Sequence, residues 1–418
     1  MSQSEKNIIQ VFEWESLRIN ENGFKTTHFN SLVKWQEKQK DIYFNVGYNK
    51  ITFTQWVGVL QVGSLIIEVL PKADPNRYET HDEKRTAATD RWKNVLIEML
   101  RKTGRLKLRT SDDTDLAVRH QSLFDLYFHS YLDEVETLTH RGLVKKYRRD
   151  QRNRTALKGK LLFQRQIALN LVHKERFFTE AAVYDRQNDW NEILLAALNV
   201  TSNVAKGGLI RSRAQNLALS FPDWSDRNFT AHSFECLHYD RKTEGYKQAI
   251  TLARLILLQL NPQIASGQEK VVAILFDMNK LWEEWLLAIY RSSYRDNNAI
   301  NILGKKRKGF WSSERGKNKI LETDILVEDN SGTAKRTIIM DAKWKRPKNL
   351  PADDEIKQMF AYNLMWESKE AWLLYPNTKE QANLDGKFLH TAAGTLGMRF
   401  VDIFDQDKRL FKKLTLPK

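Results

Sequence analysis

The apolar residues of this chain change their period twice, so no fold built from one kind of element can accommodate it. Between Val11 and Leu70 short apolar and polar runs alternate through DIYFNVGYN, ITFTQWVGVLQVGS and LIIEVLPK, with Gly47, Gly58 and Gly63 as punctuation. This pattern predicts an antiparallel, β-rich N-terminal unit over residues 1–80. From Trp92 the spacing becomes three and four, first in Trp92, Val95, Leu96 and Met99 and then through ALKGKLLFQRQIALNLVH, WNEILLAALNVTSNV and GYKQAITLARLILLQL. A mainly helical middle region is expected over 81–262. Period two returns in ILETDILVED and TIIMDAKWK, followed by a helix in DDEIKQMFAYNLMWE and strands in AWLLYPN and GMRFVDIF. The expected fold class is α+β multidomain, with a C-terminal domain over 268–418 set off by Pro262, Ser266 and Gly267 in NPQIASGQEK.

Charge narrows the function. Sixty-seven Lys and Arg against 52 Asp and Glu leave the 418-residue chain at +15, a surplus that favours a polyanionic partner, nucleic acid first. With one cysteine, Cys236, there is no internal disulfide and no cysteine-built zinc site, which fits a reducing, cytoplasmic setting. The N-terminal MSQSEKNIIQ does not read as a secretion signal, and the longest apolar stretch, near ITLARLILLQL, contains Arg254, so no membrane partner is expected. The chain lacks a G-x-x-x-x-G-K-[ST] string and is expected to bind no nucleotide itself.

The chemistry is expected in ETDILVEDNSGTAKRTIIMDAKWK. Asp324 is read on the first strand of a hairpin, and Asp341 and Lys343, two apart on the second, share a face. Two carboxylates with the Ala342 carbonyl between them are hard oxygen ligands for Mg²⁺, with Mn²⁺ as a substitute, while the ammonium can orient water and neutralise charge on a phosphate. On the preceding helix Glu283 lies at the edge of an apolar face of Met278, Leu281, Trp282, Trp285 and Ile289, within reach of a metal. On the following helix Asp354, Gln358 and Tyr362 form a row at intervals of four, from which Gln358 can touch the water or the scissile phosphate. Basic residues flank the site, and Lys305, Lys306, Arg307, Lys308, Lys345 and Arg346 are the expected DNA contacts, with Arg315, Lys317, Lys319 and Lys348 beside them.

The order helix, strand, strand, helix, strand around these residues resembles the PD-(D/E)xK nuclease superfamily. FDMNKLWEEWL, the spacing from Asp324 to DAK, and QMFAY are similar to the nuclease half of the McrC family, the cleavage subunit of the McrBC modification-dependent restriction system. VGVLQVGSLIIEVLPK, LIEMLRKTGRLK, GLVKKYRRDQRNRTALKGKLLF and YKQAITLARLIL extend the resemblance over most of the chain. Trp282 stands where the family usually has Phe, and Ala73 and Asp74 where a hydrophobic residue usually follows PK.

The resemblance implies Asp324 and Asp341 as catalytic acids, Lys343 as the lysine, and Glu283 and Gln358 as supporting positions. It also implies a bacterial or archaeal endonuclease subunit that cuts double-stranded, modified DNA together with a GTP-dependent McrB-type AAA+ ring and stimulates that ring's hydrolysis. Residues 1–80 and 81–262 are expected to dock on the ring, and 268–418 to cut. The alternatives are a free-standing DNA repair nuclease and a non-catalytic adaptor of a AAA+ ring. Between Lys145 and Arg176 eleven Lys and Arg against Asp150 and Glu175 read as a solvated helix face or as a phosphate or partner contact. The twelve tryptophans are expected mainly in cores.

Overall fold

A computed structural model describes residues 8–71, 82–106, 122–205, 208–222, 227–259, 271–314, 318–332, 334–347, 349–377, 382–390, 394–403 and 413–417. The expected boundary segment 261–270 and the cations Arg315, Lys317 and Lys348 lie outside these residues. The chain divides into two compact units, one of residues 1–107, 112–120 and 265–418 and the other of residues 108–111 and 121–264.

The first unit opens with β1 (Ile8–Phe12), β2 (Ser16–Arg18), helix α1 (Thr26–Gln36), β3 (Phe44–Gly47), β4 (Lys50–Phe53), β5 (Trp56–Val62), β6 (Leu65–Leu70) and helix α2 (Asp82–Lys102). Strands β2, β4 and β3 form an antiparallel sheet, whereas β1 runs parallel to β6. The segment is therefore not purely antiparallel, and α1 was not expected. Its buried residues His28, Leu32 and Trp35 recur at four and three, and His28 Nδ1 accepts the Lys25 N–H at 3.1 Å where the helix begins. Eleven residues between strands carry too short a periodic signal to stand out from alternation.

The second unit contains α3 (Leu123–Arg141), β7 (Lys146–Arg154), β8 (Lys160–Leu161), α4 (Phe163–Asn170), β9 (Phe177–Asp185), α5 (Asp189–Val204), α6 (Gly208–Ala218), α7 (Ala231–Glu235) and α8 (Lys247–Gln259). Helices α3, α5, α6 and α8 pack on one another, with the buried Tyr131 hydroxyl donating to the Leu194 carbonyl at 2.6 Å. Six of the eleven cations of the basic run lie on strands rather than on a helix, because β7 and β8 pair with β9 on either side in an antiparallel sheet. Asp150 collects Arg148 at 3.0 Å, Arg152 at 3.0 Å and Arg154 at 2.6 Å, so part of this charge is neutralised in place.

The chain then returns to the first unit as β10 (Val271–Asp277), α9 (Met278–Ser293), β11 (Ile300–Leu303), β12 (Lys306–Ser312), β13 (Asn318–Thr323), β14 (Ile325–Asp329), β15 (Arg336–Ala342), α10 (Asp353–Trp366), β16 (Glu370–Asn377), β17 (Leu384–Lys387) and β18 (Thr395–Asp402). Six strands make one mixed sheet in the order β11-β14-β15-β16-β18-β17, and β12 with β13 makes a separate two-stranded ribbon. Strand β10 does not join either. It pairs antiparallel with β5 and completes the N-terminal sheet as β1-β6-β5-β10.

Residues 1–80 and 268–418 are thus one body rather than two domains. The cause is visible in β5, whose apolar residues need a covered edge that β10, almost wholly buried, supplies from far along the chain. Trp344 Nε1 donates to Glu13 Oε1 at 2.7 Å inside the same unit, and the Trp344 ring meets Trp92 edge-on at 6.4 Å. Arg105 clamps Glu284 through two bonds of 2.7 Å. Among the described residues no helix is long and apolar enough to cross a membrane.

Gly58 lies in the β5–β10 seam opposite Leu275. Its φ is +139°, and a Cβ there would lie 2.1 Å from the Ile274 carbonyl oxygen. Gly58→Ala is expected to destabilise the protein by about 2–4 kcal/mol. Thermal unfolding measures the loss, and hydrogen exchange should show β15 amides losing protection together with those of β5. Loosening of β5 with unchanged protection in β15 would contradict a single body.

Candidate active site

The ends of β13, β14 and β15 meet beside α10. Asp341 is the penultimate residue of β15 and only 2% exposed, and Lys343 follows just past the strand end. The Lys343 N–H still bonds the Leu374 carbonyl at 2.9 Å, so the backbone stays extended and the two side chains keep one face. Lys343 Nζ lies 2.6 Å from Asp341 Oδ2 and donates to Gln358 Oε1 at 3.3 Å. Gln358 Nε2 donates in turn to the Tyr362 hydroxyl at 2.8 Å, and that hydroxyl donates to the Glu322 carbonyl at 2.5 Å. A continuous polar chain therefore runs from the carboxylate through the ammonium to the backbone of β13.

Asp324 is not on a strand. It occupies the bend between β13 and β14, where the chain leaves the ribbon for the six-stranded sheet, and its Oδ2 accepts the Ala342 N–H at 2.9 Å. That bond reaches across to Ala342, the residue between Asp341 and Lys343, so the bend converts a sequence separation of 18 into contact.

Glu283, half-buried on α9, is held by Lys305 at 3.1 Å. Lys305 also meets Glu322 at 3.4 Å, and Arg307 pairs with Glu322. Lys308 donates to the Met365 carbonyl at 2.7 Å over the Trp366 ring, and Lys345 meets Glu355 at 3.0 Å. Lys306 is exposed on β12 and Arg346 is half-buried. Of the six expected DNA contacts, Lys305, Arg307 and Lys345 are thus engaged by acids of their own chain.

The row at intervals of four misplaces one acid. Asp354 is 98% exposed, whereas its neighbour Glu355 is buried and accepts the Ala352 N–H and the Tyr375 hydroxyl, each at 2.9 Å. Residues 355, 358 and 362 follow the three-and-four spacing of a helix face, and that signal could have found Glu355. Glu13 and Glu322 had no local signal at all.

Burial dominates the electrostatics. It pushes the Asp324 carboxyl up to about 7, helped by the charges of Asp341 and Glu283 and opposed by the Ala342 N–H and Lys343. Asp341 is raised by burial against the pull of Lys343, and Glu283 by burial against Lys305. Burial would lower Lys343, but the negative charges of Asp341, Asp324 and Glu355 outweigh it and hold the ammonium protonated.

A sequence model of the family described as McrBC 5-methylcytosine restriction system component matches residues 51–376. The chain belongs to this family. Of solved structures, a chain of the refined half-complex from the tetradecameric assembly of Thermococcus gammatolerans McrB AAA+ hexamers with bound McrC superposes with a TM-score of 0.62 at 21% identity, covering 94% of each chain. A chain of the cryo-EM structure of the Thermococcus gammatolerans McrBC complex gives 0.47 at 23% identity, covering 68% of this chain and 86% of that one. None of the curated proteins matches.

In this McrBC component the matched stretch runs from β4 to β16 and includes every acid, amine and amide of the polar cluster. The donor set suits a small hard cation. Three carboxyls, each raised chiefly by burial, supply the oxygens, and the buried Asp341 Oδ2 has the Lys343 ammonium at 2.6 Å. Among the described residues no three His, Cys, Asp or Glu groups form a metal cage by themselves. The fit is to an ion of the Mg²⁺ type, which takes one or two carboxylates and completes its shell with water and phosphate oxygens.

A carboxyl raised to about 7 penalises the fold as pH rises. Between roughly pH 4 and 7 the unfolded chain ionises Asp324 while the folded chain keeps the proton, so stability falls through that window. Asp324→Asn should therefore raise the melting temperature in EDTA, by more at pH 8 than at pH 5, each tenfold difference in proton affinity between the two states being worth about 1.4 kcal/mol. A gap that closes as pH rises would show that Asp324 ionises freely in the fold.

Proposed function

We propose that this chain is a Mg²⁺-dependent DNA endonuclease subunit of PD-(D/E)xK type. In this reading it hydrolyses phosphodiesters in double-stranded, modified DNA while engaged with a GTP-dependent McrB-type AAA+ ring, whose NTP hydrolysis it stimulates. The observation that carries the reading is the convergence of Asp324, Asp341 and Lys343 at one sheet end with Gln358 bonded to the lysine.

Asp324, Asp341 and the Ala342 carbonyl would hold Mg²⁺ or Mn²⁺, with Glu283, paired to Lys305, as the further acid beside them. Such a cation supplies Lewis acidity toward phosphoryl oxygens. Lys343 stays protonated, so it acts as a fixed charge and hydrogen-bond donor rather than as a base, stabilising the negative charge that grows on the phosphate and orienting the attacking water. Gln358 fixes the ammonium, and Tyr362 fixes Gln358 to the β13 backbone. Preorganisation of this kind lowers the barrier because little reorganises during the reaction.

The ion pairs of Lys305, Arg307 and Lys345 favour a subunit over a free-standing repair nuclease, since each must be exchanged before a phosphate gains that charge. DNA delivered by a motor suits such a site. The middle unit, with its strand-borne cations and the exposed Tyr147 and Phe163, is the proposed ring-docking part, and the complex would work in a bacterial or archaeal cytoplasm. The intact acid-lysine set weighs against a non-catalytic adaptor.

Asp341→Asn and Lys343→Ala should each reduce cleavage by at least about a hundredfold, the loss of several kcal/mol of transition-state stabilisation. Circular dichroism and ring stimulation should stay near wild type. The assay is plasmid cleavage with the ring, nucleotide and Mg²⁺, and retention of more than about a tenth of the activity would sink the mechanism.

A further inference from the structure

The two-stranded ribbon receives the far end of the polar chain on the Glu322 carbonyl, yet most of it projects beyond the site. Lys305, directly before β12, bonds Glu283 and Glu322, and Tyr362 bonds the Glu322 carbonyl two residues before Asp324. Every residue of β12 is exposed, as are Asn318, Lys319 and Ile320 at the start of β13. Large apolar side chains sit there in water: Phe310 is 54%, Trp311 56% and Ile320 59% exposed.

The register sorts them. Ile320 and Glu322 share one face of β13, and Ile320 lies opposite Gly309, above which a Cβ would meet no atom within 4 Å. Trp311 pairs with Lys319 on the other face, and Phe310 is the extra residue at the bulge between Gly309 and Trp311. Lys306 and Lys319 place cations below and beside the aromatics. Lys319 lies about 16 Å from Asp324 along an extended strand at about 3.3 Å per residue.

Resting on the nuclease reading, we propose that the β12–β13 ribbon is a duplex-engaging arm, with Phe310 and Trp311 making apolar contact with bases in the groove beside the cleaved phosphate. Three observations select DNA over a protein occupant. The apolar side chains are interleaved with lysines rather than forming a dry patch. A two-stranded ribbon has the width that the major groove admits, about 12 Å. The ribbon is tied to the catalytic bend, so whatever it grips is held at a fixed distance from Asp324. The bulge supplies the re-aiming that strands next to active sites commonly use.

The test is binding of a fluorescently labelled DNA duplex to the full chain in EDTA, where no cleavage occurs, over a range of salt. Phe310→Ala with Trp311→Ala should weaken binding about tenfold at every salt concentration with an unchanged salt slope, because the double variant removes apolar grip on the bases and leaves counterion release intact. Lys306→Ala with Lys319→Ala should weaken binding and flatten the slope by about 0.9 for each phosphate that is no longer neutralised. Unaltered melting curves exclude misfolding of an exposed ribbon. The proposal is overturned if wild type does not bind the duplex even at low salt, or if the aromatic pair binds within about twofold of wild type. It is equally overturned if the pair keeps DNA affinity but loses ring stimulation or self-association, which would make the ribbon a protein-docking surface. Since binding is read without metal, a failure of the Asp341 and Lys343 variants to lose cleavage would refute the nuclease reading alone.

Discussion

Three carboxyl groups crowd the end of one sheet around the half-buried Lys343 ammonium, and burial makes it costly for all of them to ionise. Such an arrangement persists only if the surrounding structure holds it. Here the holding is mostly backbone: the Ala342 N–H on Asp324, the Leu374 carbonyl on the Lys343 N–H, and the Glu322 carbonyl on Tyr362. Each bond ties a side chain or strand end to a different segment, so no acid can move away without breaking the sheet or helix that presents it.

The same logic explains the large apolar body beneath. Trp282 and Trp285 are fully buried and stacked at 5.2 Å, and Trp282 also packs on Trp344 at 5.3 Å. Trp344 is the next residue after Lys343 and is pinned from the N-terminal strand side by Glu13. A rigid tryptophan cluster beneath a lysine fixes the start of its flexible stem, and Gln358 fixes its end. The N-terminal sheet, whose own buried ion pair joins Glu68 to Lys93, thereby takes part in positioning the acids and lysine of the C-terminal segment.

Charge is distributed with equal economy. The surplus of +15 reads as a wide attraction for polyanions, but the cations nearest the site face acids first. Lys305 bridges Glu283 and Glu322, and Lys345 covers Glu355. These pairs shield the carboxylates and leave Lys306 and Lys319, exposed on the ribbon, as the cations placed outward beside the site. Long-range attraction and local neutrality are therefore separate properties of the same sequence.

Much of the site was legible because its residues are close in sequence and obey simple periods. Alternation put Asp341 and Lys343 on one face, and the helical spacing of DDEIKQMFAYNLMWE carried Gln358 toward them. Period change alone located β14, β15, α10, β16 and β18, but left β10, β11, β12 and β17 unread. The sequence by itself could not place Asp324 at a bend, since ILETDILVED reads as unbroken alternation and only the parting of β13 toward β12 and β14 toward β15 turns the chain there. Nor could it read the basic run from Lys145 as strand, because the partner β9 that makes it one is separated by a helix. Tertiary structure alone decided that β10 completes the sheet of β5 and that Glu13 supports Trp344. A pattern of apolar residues states that a face or an edge must be covered, but it carries no label for the distant segment that covers it.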